Sequence, residues 1–232
     1  MSQLTTLILT RRECWTLTWK ARIVGLLGLA TLAWLAVWRA EPFLAVDRPV
    51  SGQLLVIEGW TPPYTVHQAA AIFRERNYRR ILVVRAPYEV SGLPDSHPFY
   101  GDYVAPLLKR YGVPETAVES LLCPVSKRDR TYHSAMMVRD WLARQVEPTS
   151  TMDVATLGVH ARRSRLMYQK ALGNMTKVGV IALEDSAYDR HHWWRSSEGV
   201  RESLGEGIAY FYARLFFRPA QAASLVGSRP NL

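Results

Sequence analysis

The chain has 232 residues and a formal net charge of +9, with 48% hydrophobic and 21% charged residues. That length suffices for one sizeable domain with an appendage, and the composition is that of a packed globular protein. The arginines are spread over many predicted elements and form no basic run, which argues against nucleic-acid binding and leaves an anionic membrane surface or acidic small molecules as partners.

An apolar segment near the N-terminus, ARIVGLLGLATLAWLAVW (residues 21–38), predicts a membrane anchor. Only Arg22 is charged, and snorkelling of the flanking basic side chains extends its reach to the roughly 20 residues that a bilayer requires. Tryptophans near both ends fit an aromatic belt. A cleaved signal peptide and a buried core helix are the alternatives, but the long N-terminal region and Arg39 directly after the apolar run disfavour cleavage.

The charges on either side of this segment predict its orientation. Four basic residues precede the uncharged run that starts at Ile23, and the two that follow it closely, Arg39 and Arg48, stand beside Glu41 and Asp47. The basic excess predicts a single-pass protein whose N-terminus stays in the cytoplasm and whose main domain lies outside, in the periplasm or its equivalent. Cys14 and Cys123 would then lie on opposite sides and could not form a disulfide.

The sequence therefore predicts five regions. They are a cytoplasmic tail at 1–20, an anchor at 21–40, a linker at 41–52, an α/β domain at 53–218 and a flexible tail at 219–232. Within the domain, predicted strands at 53–58, 79–84, 116–124, 153–157 and 178–183 alternate with predicted helices at 66–76, 100–111, 130–144 and 189–217. A further helix follows the fourth strand, and the last helix is expected to break near Gly205 or Gly207. Continuous apolar strands alternating with helices indicate a three-layer, Rossmann-like α/β domain with a mainly parallel sheet.

Ligands of such sheets bind beyond the carboxyl ends of the strands, where three polar segments are predicted to meet. GVHARRSR (residues 158–165) turns from a strand into a helix. Helix N-termini bind anions, and the macrodipole disfavours extra cations there, so this cluster predicts an anion site. His160 and Arg163 can share one helix face, and Arg162 and Arg165 another. Salt bridges to local carboxylates or simple solvation are the alternatives for each arginine.

The second segment, PVSKRDRTYHSA (residues 124–135), opens the helix predicted at 130–144. Asp129 is expected to cap that helix, with Ser126 as an alternative in another register. Thr131, His133 and Ser134 fall in its first turn, where they would point towards the same cleft. His133 could instead lie on the helix surface.

The third segment begins with Glu58 at the end of a buried strand. This carboxylate would either pair with the arginines or act as a general acid/base whose pKa burial could shift. Gly59 would permit a tight turn, Trp60 could line the pocket or belong to the core, and His67 is interpreted as structural.

The sequence indicates neither a metal nor a cofactor. The two cysteines and the adjacent His191 and His192 lack a metal-ligand spacing, and GxSxG, GxGxxG and P-loop motifs do not occur. We therefore expect no cofactor.

An anchor followed by a strand ending in EGW, then GVPE (112–115), RDRTYHSA (128–135) and GVHARRSRLM (158–167), resembles the SanA/ElyC/YdcF-like family over about 53–215. The most specific element is His-x-x-Arg, matched by His160 and Arg163, and a second is Thr131. The chain departs from the family's glycine-rich first turn, and it has His133 and Ser134 where the family commonly has Glu and Asn. The resemblance implies a Rossmann-like fold and a role in the bacterial envelope, in barrier integrity or in the metabolism of lipid-linked sugars, without supplying a reaction.

Two functions remain open on the sequence. In the first, Arg163, Arg165, Thr131, Asp129 and Gly59 bind a phosphorylated envelope precursor, and His160 and Glu58 exchange protons during hydrolysis or group transfer. In the second, the domain binds an anion or an envelope protein without catalysis. The aromatic segment GIAYFYARLFF (207–217) could then meet a partner or the membrane surface, or simply be core.

Overall fold

The computed structural model describes residues 17–87, 99–124, 126, 128–147 and 149–219. The predicted cytoplasmic tail lies mostly outside the described residues, as do residues 88–98 and nearly all of the predicted flexible tail. The chain divides into two units, Met1–Arg39 and Ala40–Leu232. The first described helix, α1 (Trp19–Leu44), is long and apolar enough to cross a membrane.

The α/β unit contains one sheet in which five strands are parallel, in the order β4-β2-β1-β5-β6. These strands are β1 (Leu54–Glu58), β2 (Arg80–Pro87), β4 (Val118–Leu122), β5 (Thr151–Leu157) and β6 (Lys177–Leu183). The two-residue strand β3 (Phe99–Tyr100) pairs antiparallel with the end of β2. All five residues of β1 are buried, as expected for a central strand covered on both faces.

Helices cover both faces of this sheet. They are α2 (Pro63–Glu75), α3 (Val104–Arg110), α4 (Arg130–Leu142), α5 (Ala161–Leu172) and α6 (Ser197–Leu215). Leu55 and Ile57 of β1 point into one core with α2 and α3, while Leu54 and Val56 point into another with α4 and α5. Period-two alternation along β1 thus supplies two apolar cores, and the predicted three-layer α/β fold is confirmed.

The segment predicted as a linker, 41–52, is packed against the domain. Helix α1 continues through Pro42 to Leu44, which is 2% exposed. Arg48 exchanges two backbone hydrogen bonds with Val180 of β6. The buried carboxylate of Asp153 accepts the backbone N–H groups of Val50 and Gly52, at 2.7 and 3.2 Å. This segment is therefore part of the α/β unit.

Two predicted helices have different bounds. The helix predicted at 100–111 begins only at Val104, because residues 99–100 pair with β2. The helix predicted at 189–217 consists of a 3-10 helix, Arg190–Arg195, followed by α6. The break falls at Ser196, whose hydroxyl accepts the N–H of Gly199 at 3.1 Å as a helix cap, and α6 is continuous through Gly205 and Gly207.

The strand order also locates a crevice. The chain leaves β1 towards β2 on one side, whereas β5 and β6 lie on the other, so β1 and β5 are neighbours at a topological switch point. Ligands of open α/β sheets bind outside the carboxyl ends of the strands at such a point. Glu58 ends β1, and His160 ends the 3-10 turn Gly158–His160 that follows β5, which places both at this crevice.

Candidate functional site

A cavity of about 520 Å³ opens at the carboxyl ends of β1 and β5. Four elements besides the sheet contribute to its wall: the turn after β1, the first turn of α4, the start of α5, and α6 together with Phe217 just beyond its end. Its polar lining includes Glu58, Asp129, Arg130, Thr131, Ser134, His160 and Arg163, and its aromatic lining comprises Trp60, Tyr132, Tyr212 and Phe217. The strand ends thus bring together most of the residues that the sequence singled out.

Arg163 is the most highly coordinated side chain of this cavity. Its Nε and Nη2 donate to the two carboxylate oxygens of Glu206 on α6, at 2.6 and 2.9 Å. Its Nη1 donates to the hydroxyl of Thr131 on α4, at 3.1 Å. A bidentate, charge-assisted pair of this kind fixes the guanidinium plane. The result is a half-buried cation that joins three helices, in which Nη1 binds a neutral hydroxyl and Nη2 also lies 3.2 Å from Nδ1 of His160.

His160 lies between two carboxylates. Its Nδ1 is 2.9 Å from Glu206 Oε1, and its Nε2 is 3.4 Å from Glu202 Oε2. Burial disfavours the charged imidazolium, but the hydrogen bonds to Glu202 and Glu206 outweigh burial and raise the pKa of His160 to about 9. The protonated ring is therefore favoured at neutral pH, where it serves as a proton donor rather than as a base. Trp60 packs over it with ring centroids 4.5 Å apart.

The pKa of Glu206 shifts in the opposite direction to that of His160. Burial raises the pKa of its carboxyl, but hydrogen bonds from His160 and Arg163 outweigh burial and lower it to about 2. Glu206 thus remains an anion that neutralises much of the positive charge contributed by α5. For Arg163, this carboxylate is the local salt-bridge partner that the sequence analysis considered as the alternative to a ligand.

Glu58 lies at the base of the cavity and is 2% exposed. Its Oε2 accepts hydrogen bonds from the hydroxyls of Thr156 and Ser164, the latter at 2.9 Å. Burial raises the pKa of this carboxyl, although these two hydrogen bonds and the nearby charges of Arg163 and His160 act to lower it. Glu58 is thus a buried carboxyl that favours the protonated form more than a solvated glutamate does.

The first turn of α4 opens onto the cavity without a capping side chain. Asp129 occupies the N-cap position in a left-handed conformation, with φ of 51°, and makes no capping hydrogen bond. Ser126 does not cap the helix either, since its hydroxyl donates to the carbonyl of Arg128. The predicted capping role of Asp129 is therefore wrong. The exposed Asp129 carboxylate lies instead at the cavity wall, beside a first turn whose N–H groups no described side chain caps.

Three predicted residues lie elsewhere. Arg165 Nε donates to the backbone carbonyl of Val178 in β6, at 3.1 Å, so this arginine does not line the cavity. The N–H of Gly59 donates to Val84 across the sheet at 2.8 Å, which removes it as an anion donor. His133 is exposed on the surface of α4 and is not among the cavity residues. Their predicted anion-binding or catalytic roles are not supported by this placement.

Arg162 does not simply face solvent. Its guanidinium stacks on the ring of Phe43, 4.0 Å from the centroid, and Nε donates to the Phe43 carbonyl. Phe43 lies near the end of α1, in the part of the helix that belongs to the α/β unit. Arg162 therefore ties α5 to the start of this unit.

Sequence reasoning missed Glu202 and Glu206, the carboxylates of α6. Their spacing of four residues places them on one face of the helix, which was the available signal. The sequence analysis of this helix considered only the aromatic segment 207–217, as a surface for a partner or the membrane or as core. Among the described residues no group of three or more His, Cys, Asp or Glu side chains is arranged to hold a metal, and the imidazole of His192 lies 2.7 Å from Asp189.

No protein-family model matches this sequence, and no curated protein matches it.

Proposed function

We propose that this chain is a membrane-anchored protein of the bacterial envelope, of the SanA/ElyC/YdcF-like type, whose α/β domain binds an anionic, phosphorylated ligand. In this proposal α1 holds the protein in the inner membrane with the N-terminus in the cytoplasm and the domain in the periplasm. The charge distribution around residues 21–38 supports that orientation. The residues that carry the resemblance, His160, Arg163 and Thr131, line one cavity, which supports the ligand-binding part.

The observation that carries the proposal is the combination of a protonated His160, Arg163 and an uncapped helix N-terminus around one cavity. Phosphate oxygens accept hydrogen bonds from such donors and are favoured by the positive end of a helix dipole. Arg163 Nη1 binds only the neutral Thr131 hydroxyl, so an anion between it and α4 would gain a charged partner without displacing Glu206. We place the phosphoryl group there.

The protonation states define what chemistry the cavity could perform. His160 would donate a proton to a leaving group or hydrogen-bond to an oxyanion. Glu58, whose pKa burial raises, would be the second titratable group of the same cavity, and its ionised form would accept the proton of the attacking water or hydroxyl. With His160 as the donor to the leaving group, the reaction would be hydrolysis or transfer of a group on a phosphorylated envelope precursor, such as a lipid-linked sugar.

One observation favours a second function, a binding or scaffold protein without turnover that affects the envelope barrier. Both nitrogens of His160 already face carboxylates, and Glu206 binds Arg163 on two atoms. A resting site in which these charges are balanced is suited to sensing an anion. Catalysis and sensing use the same cavity, so they differ in whether bound ligand turns over.

Binding is tested on the full chain in detergent micelles, titrated with inorganic phosphate and pyrophosphate by calorimetry. Arg163→Gln should weaken binding at least tenfold, because a charge-assisted hydrogen bond contributes about 1.5–3 kcal/mol. Arg165→Gln is the matched control, since it removes the same charge outside the cavity, and it should bind like the unaltered chain.

Equal losses in Arg163→Gln and Arg165→Gln would mean only nonspecific attraction to a basic protein and would overturn the proposal. Saturable binding by a folded chain to neither anion would overturn it as well. Release of phosphate from pyrophosphate that His160→Gln abolishes while binding persists would establish catalysis. Binding without release would establish the sensor.

A further inference from the structure

Helix α6 is oriented with its large apolar side chains outward. Its buried residues are small or polar, namely Gly199, Ser203, Glu206 and Ala213. The side chains of Leu204, Ile208, Phe211 and Leu215 are between 52% and 73% exposed. We call these four residues the outer face of α6. They follow the spacing of one helix face.

The inward direction of Glu206 accounts for this orientation. Glu206 binds both Arg163 and His160, and a helix rotated to bury its apolar side chains would lose these contacts. A contiguous row of exposed large apolar residues is uncommon on a soluble surface and marks an interface.

The charges beside the outer face select the kind of partner. Between Gly207 and Pro219 there is no acidic residue, whereas Arg214 and Arg218 are both exposed. The acidic residues of α6 lie earlier, up to Glu206. An apolar face bordered by cations is the pattern of a helix that lies in the interface of an anionic membrane.

The chain also keeps this face close to a bilayer. Phe43 stacks on Phe211, with ring centroids 6.3 Å apart and planes inclined by 13°, and meets Tyr210 edge-on at 5.5 Å. The predicted span ends at residue 40, and three residues extend at most about 10 Å. Whatever the direction of the intervening chain, the middle of the outer face remains within reach of the headgroups.

We propose that the outer face of α6 lies in the headgroup region of the bilayer that holds α1, with its apolar side chains inserted and Arg214 and Arg218 at lipid phosphates. The domain is then attached to the membrane in two ways, by its covalent link to α1 and by the outer face of α6. This inference rests on the anchor in the proposed function but not on the ligand.

The test uses the full chain with both native cysteines replaced by serine and one new cysteine carrying an environment-sensitive fluorophore. Ile208→Cys and Leu215→Cys report on the outer face at two positions about two turns apart along α6. Val146→Cys is the matched control, because Val146 is 98% exposed and follows α4 far from α6 in sequence. Each protein is placed, one copy per disc, in nanodiscs of phosphatidylcholine with about one-third phosphatidylglycerol.

Labels at 208 and 215 should shift to the blue and be quenched by lipids carrying a quencher on the acyl chain, while the label at 146 should show neither effect. Quenching absent at both outer-face positions would overturn the inference. A blue shift that appears only when a disc holds two copies would overturn it too, since a second chain would then cover the face. A chain that carbonate extracts from the discs would refute the anchor, which distinguishes that failure from failure of the α6 surface alone.

Discussion

His160 and Glu206 form an ion pair that connects the start of α5 to the middle of α6. Glu206 is only 10% exposed, so the attraction between the two charges is screened less than at a surface. Removing one partner of such a pair leaves an uncompensated charge and is strongly destabilising. His160, which is proposed to contact the ligand, therefore also holds α6 against the rest of the α/β unit.

The raised pKa of His160 predicts how stability depends on pH. The folded-state value is about 9 and the ordinary value is 6.5, so folding favours the protonated ring. This contribution is fully present below pH 6.5 and is lost as pH rises through 9. A difference of this size corresponds to about 3 kcal/mol. We expect the midpoint of thermal unfolding, followed by near-ultraviolet circular dichroism in detergent, to fall between pH 6.5 and 9.

His160→Gln should remove most of this fall, while His133→Gln, at an exposed position on α4, should keep it. Glu58 acts in the same direction, because its raised pKa makes folding less favourable as pH rises above 4.5. Glu206 contributes at the acid end, where its stabilising effect is lost as pH falls from 4.5 towards 2. A midpoint that rises from pH 6.5 to 9 in the unaltered chain would contradict the protonated state assigned to His160.

The site residues that could be predicted from the sequence are those that lie close to a strand end along the chain. Glu58, Thr131, His160 and Arg163 all follow strand ends or open helices, and parallel topology brings such positions together. Glu206 comes from a helix that follows the last strand, so no local pattern shows which way it points. Arg165 was misplaced because only the helix rotation decides that its Nε meets the Val178 carbonyl.

At the scale of elements, the strands were easier to predict than the ends of the last helix. A run such as LLVIE in β1 is apolar throughout, and only burial on both faces explains it. Glycine was a poor guide to the break in the C-terminal helical region. The chain turns at Ser196 because a hydroxyl there caps α6, whereas Gly205 lies inside the helix.

Two glycines of α6 should therefore respond oppositely to alanine. A Cβ at Gly205 meets no atom within 4 Å, so Gly205→Ala should stabilise the helix by about 0.5–1 kcal/mol. A Cβ at Gly199 would lie 2.3 Å from the carbonyl oxygen of Trp193, so Gly199→Ala should destabilise by about 1–3 kcal/mol. Chemical denaturation of both variants beside the unaltered chain measures these differences. Loss of stability in Gly205→Ala would indicate that the helix is not continuous there.

At the scale of the whole molecule, the sequence combines a strong charge asymmetry with one apolar helix. The sequence before the span carries Arg11, Arg12, Lys20 and Arg22, and the sequence after it begins with an equal mixture of basic and acidic residues. Basic residues close to a span resist translocation, whereas acidic residues contribute little to orientation. The side on which the α/β unit resides depends on this difference.

Orientation is therefore predicted to depend on the N-terminal basic residues. Alkaline phosphatase, which is active only outside the cytoplasm, should be active when fused after Leu232 in the unaltered chain. Replacing Arg11, Arg12, Lys20 and Arg22 by glutamine should reduce that activity, since the charge that retains the N-terminus is gone. Replacing Arg39 and Arg48 by glutamine is the control and should leave activity at least as high, because it increases the asymmetry. An inactive fusion with the unaltered chain, combined with a fluorescent fusion to a protein that folds only in the cytoplasm, would place the domain inside the cell and refute the periplasmic assignment.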